Sequence, residues 1–277
     1  MFELPTCETL KLSLEQACLT VLLNRPQAKN AMSFQMVEEL KNLFSLLAES
    51  PGGVRAVVIR GADGNLCAGG DIKDMAAARQ ADQKEGEIDP LAKANRVFGE
   101  LIEQVDKSPL PVIVVAEGAV LGGGFGLVCA SDIALAKADA QFGLPETGLG
   151  IAPAQIAPFI VKRIGLTQGR RLAVTGKRLN GEKAQALGLV HEVFNDEESL
   201  SSALADELQA ILKTAPQALS QTKQLMQGAY EEASNLGELL DRAAIDFAKA
   251  ARGEEGIEGM MAFIQKRKAY WVPEDSK

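Results

Sequence analysis

Pro111-Val112-Ile113-Val114-Val115-Ala116-Glu117-Gly118-Ala119-Val120-Leu121-Gly122-Gly123-Gly124-Phe125-Gly126-Leu127 is the stretch on which the fold turns. Its first six residues form a short apolar run stopped by Glu117-Gly118, and such a run reads as a strand buried on both faces. A second apolar triplet then runs into consecutive glycines that open a helix. Glycine lets the backbone approach a ligand closely, because no Cβ intervenes. A helix start leaves N–H groups unpaired and carries a partial positive charge, which suits a developing oxyanion. Taken alone, the turn fits tight strand–helix packing equally well. A dinucleotide fingerprint would need glycine where Leu127 stands, and the chain has no G-x-S-x-G elbow.

The pattern upstream is similar. Thr9 to Leu23 alternates polar and apolar residues around a turn near Leu14 to Ala17, the mark of a hairpin. Ser33 stands as an N-cap before Phe34, Val37, Leu40, Leu43, Phe44 and Leu47 at helical spacing, and Pro51-Gly52-Gly53 breaks that helix. A strand from Val54 to Arg60 feeds a glycine-rich loop, Gly61 to Asp71. The polar stretch from Ala76 to Asp89 lacks periodicity and reads as exposed and mobile. A helix from Leu91 to Asp106 stops at Ser108-Pro109.

Downstream, a strand from Ile133 to Ala136 precedes Gln141-Phe142-Gly143-Leu144-Pro145-Glu146. Helices follow at about 155 to 174, 181 to 187, 197 to 213, 216 to 229 and 234 to 251, with a last one from Gly256 to Ala269. Strands alternating with helices early and helices late describe an α/β core with a helical C-terminal part. The boundary falls at residue 200: a core over 1–200 carrying the site, and a helical region over 201–277, to which the resemblance given below assigns oligomerisation.

Composition narrows the function. The 277 residues are 47% hydrophobic and carry a formal net charge of -8, so no basic field favours nucleic acid or an anionic membrane. No apolar run reaches the roughly 18 residues that a membrane span needs, and the N-terminus does not read as a signal peptide. Cys7, Cys18, Cys67 and Cys129 include no CxxC pair and are too few for a disulfide scaffold, which points to reduced thiols in the cytoplasm. His191 is the single histidine, which excludes multi-histidine metal sites.

Seven segments in register carry a resemblance over nearly the whole chain. They are Asn24-Arg25-Pro26-Gln27-Ala28-Lys29-Asn30-Ala31-Met32, Ala68-Gly69-Gly70-Asp71-Ile72-Lys73, the glycine turn, Phe142 to Glu146, Leu172 to Gly176, Ala184 to Val190 with its Leu187-Gly188-Leu189, and Glu258 to Lys268. Together they resemble the crotonase (enoyl-CoA hydratase/isomerase) superfamily. The resemblance implies stacked β-β-α turns forming two roughly perpendicular sheets, and C-terminal helices that build a homotrimer or a dimer of trimers. It implies an acyl-CoA substrate and no separate cofactor or metal, coenzyme A being part of the substrate. The oxyanion hole falls on the backbone N–H groups of Gly70 and Gly123, and the general acid/base on Glu146. Ala28, Lys29, Ala68, Asp71, Ile72 and Gly126 fall at substrate-binding positions, with Asp71 read as shaping its own loop. Phe263 and Lys266 match positions that reach the CoA of a neighbouring subunit.

One departure stands out. Hydratases of this superfamily carry a second glutamate where this chain has Gly126, which cannot transfer a proton. With the altered run Gly148 to Pro158, this makes the chain most similar to the glutaconyl-type hydratases, acting on isohexenylglutaconyl-CoA or methylglutaconyl-CoA in acyclic terpene or leucine catabolism. Glycine at 126 is then expected to leave room, and one negative charge fewer, beside a branched anionic acyl group. The rival readings are a Δ3,Δ2-enoyl-CoA isomerase, which needs one carboxylate, and a non-catalytic acyl-CoA- or RNA-binding paralogue. His191 reads as structural.

Overall fold

The computed structural model describes residues 3–82, 86–231 and 235–273. Two compact units emerge, Met1–Leu204 and Ala205–Lys277.

The first unit opens with the expected hairpin. Strand β1 (Leu10–Glu15) pairs antiparallel with β2 (Cys18–Leu23), and Gln16 and Ala17 turn the chain at φ 47 and 64°. Helix α1 (Phe34–Glu49) starts where the Ser33 hydroxyl accepts the N–H of Met36 at 3.2 Å. Met36, Leu40, Leu43 and Leu47 form its fully buried stripe, whereas Phe34 is exposed. Strands β3 (Ala56–Gly61), β4 (Val112–Ala116), β6 (Ile133–Lys137) and β8 (Glu192–Phe194) complete a six-stranded sheet ordered β1-β2-β3-β4-β6-β8, parallel from β2 onward.

A second, smaller layer rises from the ends of these strands. Strands β5 (Ala119–Leu121) and β7 (Gln141–Gly143) pair in parallel, Cys67 bridges to Val120, Met32 bridges to Gly70, and Phe142 bridges to Leu179. Each turn of chain therefore places one strand in the main sheet, one short piece in the small layer, and then helix. β2 is followed by Met32 and α1, and β3 by Cys67 and Gly70. β4 is followed by β5 and helix α4 (Gly123–Ala130), and β6 by β7 and helix α5 (Ala157–Thr175). This is the repeated β-β-α architecture, with every residue of β4 buried between layers. The small-layer pieces escaped the sequence reading because three residues are too few to display alternation.

Two expectations need correction. The polar stretch from Ala76 begins inside a helix, α2 (Ile72–Gln80), although residues 83–85 lie outside the described residues. α2 buries none of its residues, so it has no apolar period to read. It is nucleated by Asp71, whose carboxylate accepts the N–H of Lys73 at 2.9 Å. Helix α3 (Pro90–Asp106) is started in the same way by Asp89.

The remaining helices are α6 (Gly181–Ala186), α7 (Glu197–Leu212), α8 (Pro216–Glu231), α9 (Leu236–Arg252) and α10 (Glu254–Ile264). Residue 234, the expected start of α9, lies outside the described residues. The last helix ends at Ile264 rather than Ala269. Lys266 takes a left-handed conformation (φ 54°), the Arg267 N–H closes back on the Ala262 carbonyl at 3.0 Å, and the Arg267 guanidinium grips both Glu258 oxygens at 2.5 and 2.7 Å. Helical periodicity does not register such a cap. Within the second unit, Glu255 accepts the free N–H groups of Gln217 and Ala218 at the start of α8. Phe263 is 85% exposed there, on the last turn of α10.

Candidate active site

Three loops meet at one place in the first unit, and backbone pairing brings them there. The Ala68 N–H donates to Lys29 O (3.0 Å), the Met32 N–H to Gly69 O (2.8 Å) and the Asp71 N–H to Met32 O (2.9 Å). These bonds lay the 28–32 segment along the 67–71 loop. The Cys67 N–H donates to Ala119 O (2.8 Å), and the Leu121 N–H to Cys67 O (2.9 Å), which holds the same loop against the glycine turn. The Gly122 N–H reaches Gly143 O (3.2 Å) and brings in the third segment.

Side chains lock the entry to these loops. Buried Asn30 donates to the carbonyls of Ala62 (2.9 Å) and Asn65 (2.6 Å) while accepting the Arg25 N–H (2.8 Å). Arg25 in turn binds the Ala31 carbonyl at 2.6 Å and pairs with Asp71 at 2.7 Å. Burial alone would raise the Asp71 carboxyl, but the hydrogen bonds from Arg25 and the Lys73 N–H hold it below its ordinary range. Asp71 is thus an ionised strut, as expected of a residue that shapes its loop. Arg25 was quoted in the opening motif without a role; its role appears only once Asp71 is placed beside it.

Gly122 sits at φ 47, ψ -107°, which a residue with a Cβ rarely adopts. A Cβ there would stand 3.0 Å from Glu146 Oε1 and 3.5 Å from Gly69 Cα, so the carboxylate and both glycine loops converge on this point. Among the described residues, the N–H groups of Gly70 and Gly123 meet no acceptor. Gly123 is the first residue of α4, where an unpaired N–H faces outward by construction.

These residues line a cavity of about 440 Å³. Of the positions singled out in the sequence, Ala68, Gly70, Asp71, Ile72, Gly123 and Glu146 line it; Ala28, Lys29 and Gly126 do not. The Lys29 carbonyl supports Ala68 through the backbone, whereas Ala28 bonds, among the described residues, only within its own turn, to Arg25 and Ala31. Phe263 and Lys266 belong to the second unit. The wall around Glu146 is largely apolar, with Met32, Met75, Phe98, Leu149 and Ile156, none of which the sequence singled out as a site residue.

Glu146 begins a short 3-10 turn (Glu146–Leu149), half-buried, and its Oε2 is shielded from solvent with no protein partner. Burial pushes its carboxyl above the ordinary glutamate range, which brings it closer to the pH at which it can both take and return a proton. Cys67 does not compete as a reactive group. It is fully buried, its thiol accepts the Gly69 N–H at 3.4 Å, and burial pushes it up to about 11. His191 lies off the cavity. Its Nδ1 accepts the Ala134 N–H at 2.9 Å, and burial together with the nearby Arg163 favours the neutral ring. No metal-ligand cluster of His, Cys, Asp and Glu occurs among the described residues.

The expectation for Gly126 needs correction. The space that its missing side chain leaves is not open to a substrate. Ile156 Cγ2 stands 2.5 Å, and Ile102 Cδ1 3.5 Å, from where a Cβ on Gly126 would be. An isoleucine from the segment before α5 therefore fills the place of a second carboxylate. Nothing in the local sequence announces this, because it depends on 151–156 folding back across α4.

Comparison with known proteins shows the family. The chain is 51% identical to an enoyl-CoA hydratase/isomerase from Marinobacter aquaeolei, whose crystal structure superposes with a TM-score of 0.93 over 96% of this chain and all of that one. It is also 51% identical to Pseudomonas aeruginosa AtuE, with a TM-score of 0.90 over the same shares. A probable enoyl-CoA hydratase of Bacillus subtilis is 30% identical over 264 residues, covering 94% of this chain and 96% of that protein. The enoyl-CoA hydratase/isomerase pattern runs from residue 13 to 274, taking in both glycine loops and Glu146, and the chain belongs to that family.

Proposed function

We propose that the chain is a lyase that adds water across the double bond of an α,β-unsaturated acyl-CoA. The observation that carries this reading is the convergence on one largely apolar cavity of two unpartnered backbone N–H groups and one half-buried carboxylate whose Oε2 has no protein partner. The thioester oxygen accepts from Gly70 and Gly123. Ionised Glu146 takes a proton from water as the water oxygen attacks the β-carbon. The π electrons move through the α-carbon onto the thioester oxygen, where the two N–H donors stabilise the enolate. The enolate collapses as the α-carbon takes the proton back from Glu146. A single carboxylate thus serves as base and then as acid, and atoms balance as one water added.

The finer reading is a branched glutaconyl-type thioester. It is supported by the lack of a second carboxylate beside Glu146, and by Lys93, the one Lys or Arg among the described lining residues, which supplies a cation for an acyl carboxylate. The test compares kcat/KM for crotonyl-CoA and 3-methylglutaconyl-CoA. A tenfold preference for crotonyl-CoA removes the glutaconyl reading and leaves a generic hydratase. The lone carboxylate also favours one rival, a Δ3,Δ2-enoyl-CoA isomerase. Hydration abolishes the enoyl-thioester absorbance, isomerisation of a 3-enoyl substrate creates it, and a binding module changes neither.

The assembly we propose is a trimer or a dimer of trimers, supported by the helical second unit and the exposed Phe263, Phe247 and Ile264 on it. Light scattering at micromolar concentration that gives the mass of one 29.4 kDa chain would refute it. A reducing compartment such as the cytoplasm is supported by four cysteines that are all free.

A further inference from the structure

Gly123 and Gly126 stand three residues apart on α4 and so share a face of the helix. Gly123 lines the cavity, and a side chain on residue 126 would reach along the same face. Ile156 sits there instead, 2% exposed, with its Cγ2 where that side chain would begin, and it lines the cavity itself. The residue before it does the same thing one helix away. Gln155 Oε1 lies 2.0 Å from where a Cβ on Gly99 of α3 would be. Two consecutive residues are therefore seated in gaps left by two absent side chains, one on each helix. Neither gap tolerates a Cβ without displacing its occupant. The Gln155 amide is the flexible end of its side chain, so the firmer of the two seats is that of Ile156.

We infer that Ile156 is a specificity-determining residue: seated at Gly126, it replaces a proton-transfer position by a branched apolar wall and sets the size of the group that an acyl thioester carries at its β-carbon. The inference rests on the acyl-CoA reading of the cavity. Two physical points support it. A β-branched side chain has little χ1 freedom, so the wall does not swing aside. A pocket that differs by one methylene discriminates between ligands by roughly 10–200-fold, so trimming this wall has a readable effect on preference even if Glu146 is untouched.

The experiment measures binding of butanoyl-CoA, 3-methylbutanoyl-CoA and 3,3-dimethylbutanoyl-CoA by titration calorimetry, with no turnover needed. In Ile156→Ala, the affinity for the 3,3-dimethyl thioester relative to butanoyl-CoA should rise at least fivefold over the parent protein. A smaller change in that ratio overturns the inference, whatever happens to the absolute affinities. Should the alanine variant fail to fold, Ile156→Leu, which removes the Cγ2 branch and keeps the volume, carries the same readout and the same threshold. Parent protein that binds none of the three thioesters refutes the acyl-CoA reading and the inference with it. Parent protein that binds them with an unchanged ratio in the variant refutes only the role of Ile156.

Discussion

Glu146 and Gly126 are the two places beside the cavity where this family's chemistry would put a carboxylate, and this chain treats them in opposite ways. At Glu146 an acid is kept, partly buried, its Oε2 without a protein partner and its carboxyl pushed upward by desolvation. At Gly126 the side chain is deleted and its volume is taken by Ile156, from a different element, packed to van der Waals contact. Leaving a buried polar atom unpaired costs about 1–3 kcal/mol, a cost that a fold retains where a ligand or water completes the set. Filling a gap with an apolar side chain stabilises. On the proposed reading, one side is maintained for chemistry and the other for shape.

The largest test of this contrast is Glu146→Gln. It keeps the size of the side chain and removes its proton transfer, so kcat should fall by about 10²–10⁴-fold, with product-CoA affinity changed only a few-fold. A variant that keeps half of the parent rate would place Glu146 outside the reaction. Next comes Gly123→Pro, which deletes one oxyanion donor and should cost on the order of 10²-fold in kcat. A Cβ at this position meets Met32 Sδ at 2.8 Å and Phe98 at 3.4 Å, so crowding has to be separated from the lost N–H. Gly123→Ala keeps the N–H and makes the control. Equal losses in the two variants, with circular dichroism showing intact folds, would refute the donor assignment.

The shape side is broken by Gly126→Ala. A Cβ set 2.5 Å from Ile156 Cγ2 should destabilise by about 1–3 kcal/mol through overpacking. Ile156→Leu removes that methyl and should recover part of the loss, with a coupling of about 0.5–3 kcal/mol in a double-mutant cycle. Strict additivity of the two changes in denaturant unfolding would mean that the residues do not share the site as described.

The smallest effect concerns pH. A carboxyl whose folded pKa is raised contributes stability that is fully present below its unfolded pKa and is lost as pH rises through the folded value. Glu146→Gln removes that loss. The variant should melt above the parent at neutral pH, and the gap should close as the pH falls below the ordinary glutamate range. A lower melting temperature at pH 7 would mean that hydrogen bonding to ionised Glu146 outweighs the burial that raises its carboxyl, which contradicts the direction of its shift.

Much of this was legible one element at a time. The hairpin, the Ser33 cap, the buried strand Val112–Ala116 and the glycine turn into α4 are local, each carried by periodicity or by a capping residue next to the element it starts. The pattern of the loops singled out Gly70, Gly123 and Glu146, which the structure brings to one cavity, and the absence of a carboxylate at 126 could be read directly.

What Gly126 means could not be read there. From sequence alone a missing side chain is equally an opening for a substrate and a seat for another part of the protein, and here the second reading holds. Sequence by itself determined which residues could donate, accept or bend the chain, because those are properties of one residue and its near neighbours. Tertiary structure decided which of them meet. Asp71 finds Arg25 across 46 positions, and Gly126 finds Ile156 across a helix, because packing fills space without regard to distance along the chain.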